Sequence, residues 1–440
     1  MQNEINIFWF RRDLRLEDNA GLYHALKSGK PVLPIFIFDR NILDKLEDRK
    51  DRRVEFIYGA VQRLQSQLRS LGSSIEVHHG FPIEVFKHLV NKYSIKKVFT
   101  NHDYEPYALE RDEAIENLLK ENEIAFRSFK DQVIFEKDEV LKDDGRPYTV
   151  FTPYSKKWKS VLNDFYLKSF CTENYFDNFL KKNPEKIPTL GEMGFVESHE
   201  PFPSININEE LIRQYDLHRD YPAVNGTSRI GVHLRFGTIS IRKRARIAGE
   251  LNEVYLNELI WREFYQMVLW HFPHVAKGRS FKTEYDFIPW MNNEENFHRW
   301  CNGETGYPIV DAGMRELNNT GYMHNRVRMI VASFLSKHLL IDWRWGEVYF
   351  AQKLLDFEFA SNNGGWQWAA GSGCDAAPYF RIFNPSLQTK KFDPELKYIR
   401  KWVPDFDRLT YPLPMIEHKF ARKRCLEVYG KALSRNMTSY

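Results

Sequence analysis

The chain has 440 residues, with 63 Lys and Arg against 59 Asp and Glu, a net charge of +4 and an apolar fraction of 43%. That length is too great for one ordinary core and predicts two domains, while the small charge excess permits a polyanionic partner without requiring one. No run of 18 apolar residues occurs, and Arg11 and Arg12 come before any apolar stretch long enough for a signal peptide, so a soluble, cytoplasmic protein without a membrane segment is expected.

Residues 4–10, 31–39, 74–80 and 96–101 read as short strands rich in β-branched and aromatic residues, and helical patterns such as Arg53–Leu71 lie between them. This alternation predicts a parallel, Rossmann-like sheet in an α/β domain over 1–130. No GxGxxG follows the first strand; WFRRDLRLEDN (Trp9–Asn19) stands there, so a dinucleotide site at the first crossover is disfavoured. Its arginines are expected to pair with acids and lock loops or domains together. Residues 131–207 lose periodicity and gather Pro, Asn, Lys and Glu, which reads as a long surface linker. Residues 208–440 show mainly the 3.6-residue period and predict an all-α domain. Cys171, Cys301, Cys374 and Cys425 are far apart without CxxC pairing, so neither a metal nor a disulfide framework is expected. Eleven tryptophans and 15% aromatic residues suit stacking on the rings of a cofactor or of bases.

Within the helical part, NGTSRIGVHLRFGTIS (Asn225–Ser240) sets Thr227, Ser228 and Arg229 just before a helical pattern, an arrangement that serves either as an N-cap or as a phosphate grip. In ELIWREFYQMVLW (Glu258–Trp270), Glu258, Trp261, Arg262 and Tyr265 fall at i, i+3, i+4 and i+7 and share a face, while Leu259, Ile260, Phe264 and Met267 supply core contacts. That mixed face either lines a polar pocket or is a solvated face with an ion pair. In GYMHNRVRMIVASFL (Gly321–Leu335), Asn325, Arg328 and Met329 share a face with Arg326 at its flank, and Arg328 is expected to pair with Asp356. His324 is read as structural. The stretch DFEFASNNGGWQWAAGSGCDAAPYF (Asp356–Phe380) joins two acids, two asparagines, a glycine pair and two tryptophans. A Gly-Gly pair costs a helix roughly 1 kcal/mol per residue, so a close approach is expected there. Trp366 and Trp368, about 200° apart around a helix, should serve different neighbours.

These motifs closely resemble those of the photolyase/cryptochrome family, and the resemblance runs from Phe8 to about Tyr429, nearest to the bacterial class I cyclobutane pyrimidine dimer photolyases. It implies a light-driven lyase that repairs pyrimidine dimers in DNA as a monomer, by electron transfer from photoexcited reduced FAD. The implied cofactor contacts are Tyr215, Thr227, Ser228, Arg229, Ile230, Gly231, Tyr255, Glu258, Asn325, Arg328, Asp356, Phe357, Glu358 and Asn362, the last beside flavin N5. Gly231 stands where many relatives have serine. The implied substrate contacts are Glu258, Trp261, Arg262, Tyr265, Asn325, Arg326, Met329 and Trp368. Trp290, Trp343 and Trp366, in DFIPW, LLIDW and NNGGW, match the family's electron-transfer tryptophans.

The alternative is a cryptochrome that binds FAD and signals through protein partners. Plant-type cryptochromes carry aspartate where Asn362 stands, and cryptochromes commonly add a long tail, whereas this sequence stops at Tyr440 soon after its last helical pattern. A nucleic-acid binder without sequence preference would need clustered Lys and Arg and no flavin site. For a second, antenna chromophore a deazaflavin, a flavin or none remains open. Folate is disfavoured, because Tyr107-Ala108 replaces the Asn-Glu pair of folate-binding relatives.

Overall fold

The computed structural model describes residues 4–435. They fall into two compact units, each assembled from three pieces of chain: residues up to 136 with 161–206 and 229–250, and residues 137–160 with 207–228 and 251 onward.

The first unit holds a five-stranded parallel sheet, β1 (Ile5–Phe10), β2 (Val32–Asp39), β3 (Glu76–Gly80), β4 (Ile95–Asn101) and β5 (Ala125–Phe129), in the order β3-β2-β1-β4-β5. β1 is central and wholly buried, with Ile7 opposite Leu33 on one side and Val98 on the other. Its apolar run, interrupted only by the buried Asn6, fits a strand covered on both faces. Helix Arg52–Ser70 starts where the Asp51 side chain accepts the Arg53 N–H, and it buries Val54, Val61, Leu64 and Leu68 along one stripe. The sequence reading names four of these strands. β5 (AFRSF) lies at the sheet edge and is only partly buried, so it has no alternating apolar signal.

Two segments depart from the expected boundaries at 130 and 207. Residues 229–250 belong to the first unit because their arginines complete its buried ion pairs: Arg242 reaches Asp18 and Asp131, both at 2.8 Å, and Arg15 reaches Asp131 at 2.6 Å. Arg12 pairs with Asp103 and Glu105, both at 3.0 Å, so the arginines of the N-terminal string do lock loops together. Residues 131–207 are not one linker. Residues 137–160 go with the helical unit, in which helix Phe151–Val161 buries Tyr154 and Trp158. The Trp158 indole N–H donates to Glu263 at 2.5 Å.

The second unit is helical. Helices Glu253–His271, Asn325–Ser333 and Trp343–Lys353 each pack on helix Phe359–Ala370, and Pro308–Thr320 packs on Asn325–Ser333. The core between them includes Trp300, Met314, Ile330, Phe334, Trp343, Phe350 and Trp366. Among the described residues no helix is long and apolar enough to cross a membrane, and no group of His, Cys, Asp and Glu could hold a metal ion.

Candidate functional site

Helix Glu253–His271 begins where the Asn252 side chain accepts the Tyr255 N–H. From that start, Glu258, Trp261, Arg262 and Tyr265 all line one cavity of about 400 Å³ inside the helical unit. One face of the Trp261 indole is covered by Phe151, stacked at 3.8 Å with the rings 5° from parallel. Burial pushes the Glu258 carboxyl above its ordinary value, opposed by Arg219, whose guanidinium donates to it at 2.5 Å.

A second wall comes from helix Asn325–Ser333. His324 caps it, its Nδ1 accepting the Arg326 N–H at 3.2 Å, so this buried histidine is structural and does not line the cavity. Asn325, Arg326, Arg328 and Met329 do line it. Arg328 bonds both carboxylate oxygens of Asp356, at 3.0 and 2.9 Å, and donates through Nε to the Met323 carbonyl at 2.7 Å. The expected pair therefore forms and ties this helix to the segment before the next one.

That segment, Asp356 to Glu358, leads into helix Phe359–Ala370. Glu358 is the N-cap residue yet caps nothing with its side chain. Its carboxylate instead accepts from Arg262 at 2.7 Å, Gln266 at 3.0 Å and Ser361 at 3.1 Å. Arg262 is thus an ion-pair partner as well as a cavity wall. The Asn362 amide N–H donates to the Glu347 carbonyl at 3.0 Å, which fixes the amide plane and leaves its oxygen as acceptor. Asn363 donates to the Glu347 carboxyl at 2.9 Å, and burial pushes that carboxyl up to about 7.

The glycine pair has two separate reasons. A Cβ on Gly364 would sit 2.1 Å from the Tyr265 ring, whereas one on Gly365 would meet nothing within 4 Å and would project where Gly365 lines the cavity. Trp366 is buried in the core and also borders the cavity; Trp368 lines the cavity and is half-buried. The ring neighbours of Trp366 include Trp300 at 6.1 Å and Phe350 at 5.0 Å. Trp343 lies in the same core cluster, with Trp290 packed against it.

Other expected contacts lie away from this cavity. Tyr215 meets Tyr255 edge-on at 5.0 Å, Ser228 bonds the Tyr255 hydroxyl at 3.0 Å and Thr227 bonds the Tyr322 hydroxyl at 3.1 Å. Arg229, Ile230 and Gly231 fall in the first unit. Sequence reasoning passed over Arg219, Ser361, Glu347 and Phe151. Arg219, four residues after Tyr215, carried a helical-spacing signal; Phe151 had none, because its stacking on Trp261 joins residues 110 apart. Gly346 was also missed: a Cβ there would lie 2.0 Å from the Trp366 ring.

The cavity combines a bare backbone patch at Gly365, a fixed amide at Asn362, three carboxylate–guanidinium pairs and indole faces. The buried Trp366 N–H has no hydrogen-bond partner. This donor set fits a flat heteroaromatic ring with polar edges. Comparison with known proteins agrees. The DNA photolyase pattern matches residues 6–172, and the pattern of the FAD binding domain of DNA photolyase matches residues 255–410. The chain is similar to the deoxyribodipyrimidine photo-lyase of Synechococcus sp., at 36% identity over 97% of this chain and 96% of that one. Among solved structures it is similar to a bacterial class III photolyase from Agrobacterium tumefaciens, with a TM-score of 0.87, 32% identity and 98% of both chains covered. A Synechocystis cryptochrome, at 23% identity and a TM-score of 0.82 over 97% of this chain and 99% of that one, shares the fold. With an α/β unit, a helical FAD-binding unit and relatives above 30% identity over nearly its whole length, the chain belongs to the DNA photolyase family.

Proposed function

We propose that this enzyme splits cyclobutane pyrimidine dimers in DNA, acting as a monomer, and that it does not reverse (6-4) photoproducts. The observation that carries this reading is the convergence of Glu258, Trp261, Asn325, Arg326, Met329 and Trp368 on one cavity with Asp356, Glu358 and Asn362. Bound and reduced, FAD would supply one electron to the dimer under blue light and take it back after the ring opens.

The chain's residues hold and orient the two partners. Asn362 would offer its fixed amide oxygen to the flavin, and Arg328 with Asp356, Phe357 and Glu358 would hold its polar groups. Tyr215, Tyr255, Thr227 and Ser228 would take the diphosphate. Trp261, stiffened from behind by Phe151, and Trp368 present indole faces to the dimer, while Glu258 and Asn325 offer polar contacts and Arg326 faces phosphate. Trp366, Trp343 and Trp290 carry an electron inward when the flavin is oxidised. Trp366→Phe should therefore block photoreduction of oxidised FAD, yet leave repair intact once the flavin is chemically reduced, because Phe keeps most of the packing but is far harder to oxidise. Equal loss of both activities would place Trp366 in substrate binding instead.

Lesion choice follows from acid chemistry. Reversing a (6-4) product moves a hydroxyl or amino group between bases and calls for an acid against the lesion. Asn325 and Met329, one helical turn apart on the cavity wall, cannot donate that proton, His324 is engaged in its cap, and the Glu258 carboxyl is bound by the Arg219 guanidinium, which favours its charged form. Illuminating the reduced enzyme with each purified lesion should restore only the cyclobutane dimer. Reversal of the (6-4) product would sink the assignment, and failure on both with flavin bound would favour a cryptochrome role. In the first unit the Tyr107 hydroxyl donates to Asp39 at 2.5 Å, so it is committed within the protein. This supports an antenna other than folate, which mass spectrometry of released chromophores would identify.

A further inference from the structure

The two residues after the short turn Tyr215–His218 place opposite charges against two residues that line the cavity. Arg219 donates to Glu258 at 2.5 Å, and Asp220 accepts from Arg326 at 2.6 Å. The second pair is less firmly held than the ion pairs of Asp356 and Glu358. Glu358 is held by Arg262, Gln266 and Ser361 together, and Asp356 by two bonds from Arg328, whereas Asp220 meets Arg326 through a single bond with its side chain 40% exposed.

Arg326 is otherwise ready for another anion. Its guanidinium lies over the Phe392 ring at 4.4 Å, one terminal nitrogen reaches the Met329 sulfur at 3.7 Å, and its Nε is buried without a hydrogen-bond partner. A guanidinium held flat on an aromatic ring keeps its fork in place when its acid leaves. An exposed pair of this kind contributes little stability and exchanges readily with a phosphate.

We propose that Asp220 is a built-in competitor for phosphate that holds Arg326 until a DNA strand displaces it. Resting on the reading of the cavity as a dimer site, this makes Asp220 weaken the binding of every strand by the same factor, so that strands without a lesion are released. Any backbone phosphate that takes Arg326 must break the Asp220 pair and approach its carboxylate, and only a strand that also seats a lesion recovers the loss.

The test is binding of undamaged and dimer-containing duplexes by the flavin-loaded Asp220→Asn protein across a salt series. Affinity for undamaged duplex should rise about two- to fivefold. The salt dependence should gain about one phosphate contact, and affinity for dimer-containing duplex should rise by the same factor, because both duplexes break the same pair. Asp220→Ala should act in the same direction, and the gain should vanish in Asp220→Asn combined with Arg326→Gln. Unchanged or weaker binding of undamaged duplex by both single variants, with wild-type melting and flavin content, would overturn the proposal, as would a gain that survives loss of Arg326. Absence of any lesion preference in the wild-type protein would instead count against the dimer site, while undamaged-DNA affinity would still report on Asp220.

Discussion

At the scale of single residues, the best-read feature was the charge pairing of Arg328 with Asp356, since an arginine among apolar residues needs an acid and the central segment offers one. Glu347 shows the opposite case. No sequence signal marks it, and only the fold sets it, half-buried, against Asn363 and pushes its carboxyl from the ordinary 4.5 to about 7. The folded state therefore binds this proton more tightly than the unfolded chain. Stability from this group is greatest at acid pH, falls as pH rises through the interval between those two values, and carries its full penalty above it. Glu347→Gln keeps an acceptor for Asn363 and removes the titration. Comparing denaturation midpoints at acid and mildly alkaline pH, the variant should gain roughly 1–3 kcal/mol on wild type at the alkaline end and little at the acid end. Parallel pH profiles for the two proteins would mean that Glu347 is already hydrated in the folded state.

At the scale of elements, helix Phe359–Ala370 shows how composition announces a site without saying which contact it serves. Its glycine pair promised a close approach, but the sequence could not assign one glycine to a neighbouring ring and the other to a cavity, because Tyr265 arrives from a helix a hundred residues earlier. The two glycines should respond differently. Gly364→Ala would drive a methyl into the Tyr265 ring and should cost about 1–3 kcal/mol by overpacking, seen as a lower melting temperature. Gly365→Ala has room for its methyl, should fold normally, and should weaken FAD retention because the methyl enters the cavity. Equal melting temperatures for the two variants would contradict this division. Strand β5 escaped notice for a related reason: a half-exposed edge strand needs no apolar alternation, and its pairing with β4 is a long-range property.

At the scale of the whole molecule, the units are discontinuous in sequence. Asp131 is the node that makes the first of them so, buried between Arg15 and Arg242 and also accepting the Ala20 N–H at 3.0 Å. Those arginines hold its carboxyl below the ordinary range against the effect of burial. Asp131→Asn keeps an acceptor for Ala20 but leaves two buried guanidiniums with less countercharge. It should cost about 3–5 kcal/mol, read as faster hydrogen exchange in β1 and β2. Unchanged exchange would show that Asp18 alone satisfies both arginines. By itself the sequence determined the parallel α/β unit, the helical unit and most of the cavity's polar residues, since strand and helix periodicities and short motifs are local signals carried by neighbouring residues. Only the tertiary structure decided where the units divide, that Arg219 and Asp220 cover Glu258 and Arg326, that Phe151 backs Trp261, and that Glu347 is half-buried against Asn363. Each of these depends on contacts between residues far apart in the chain, and their burial and charge exist only once the chain has folded.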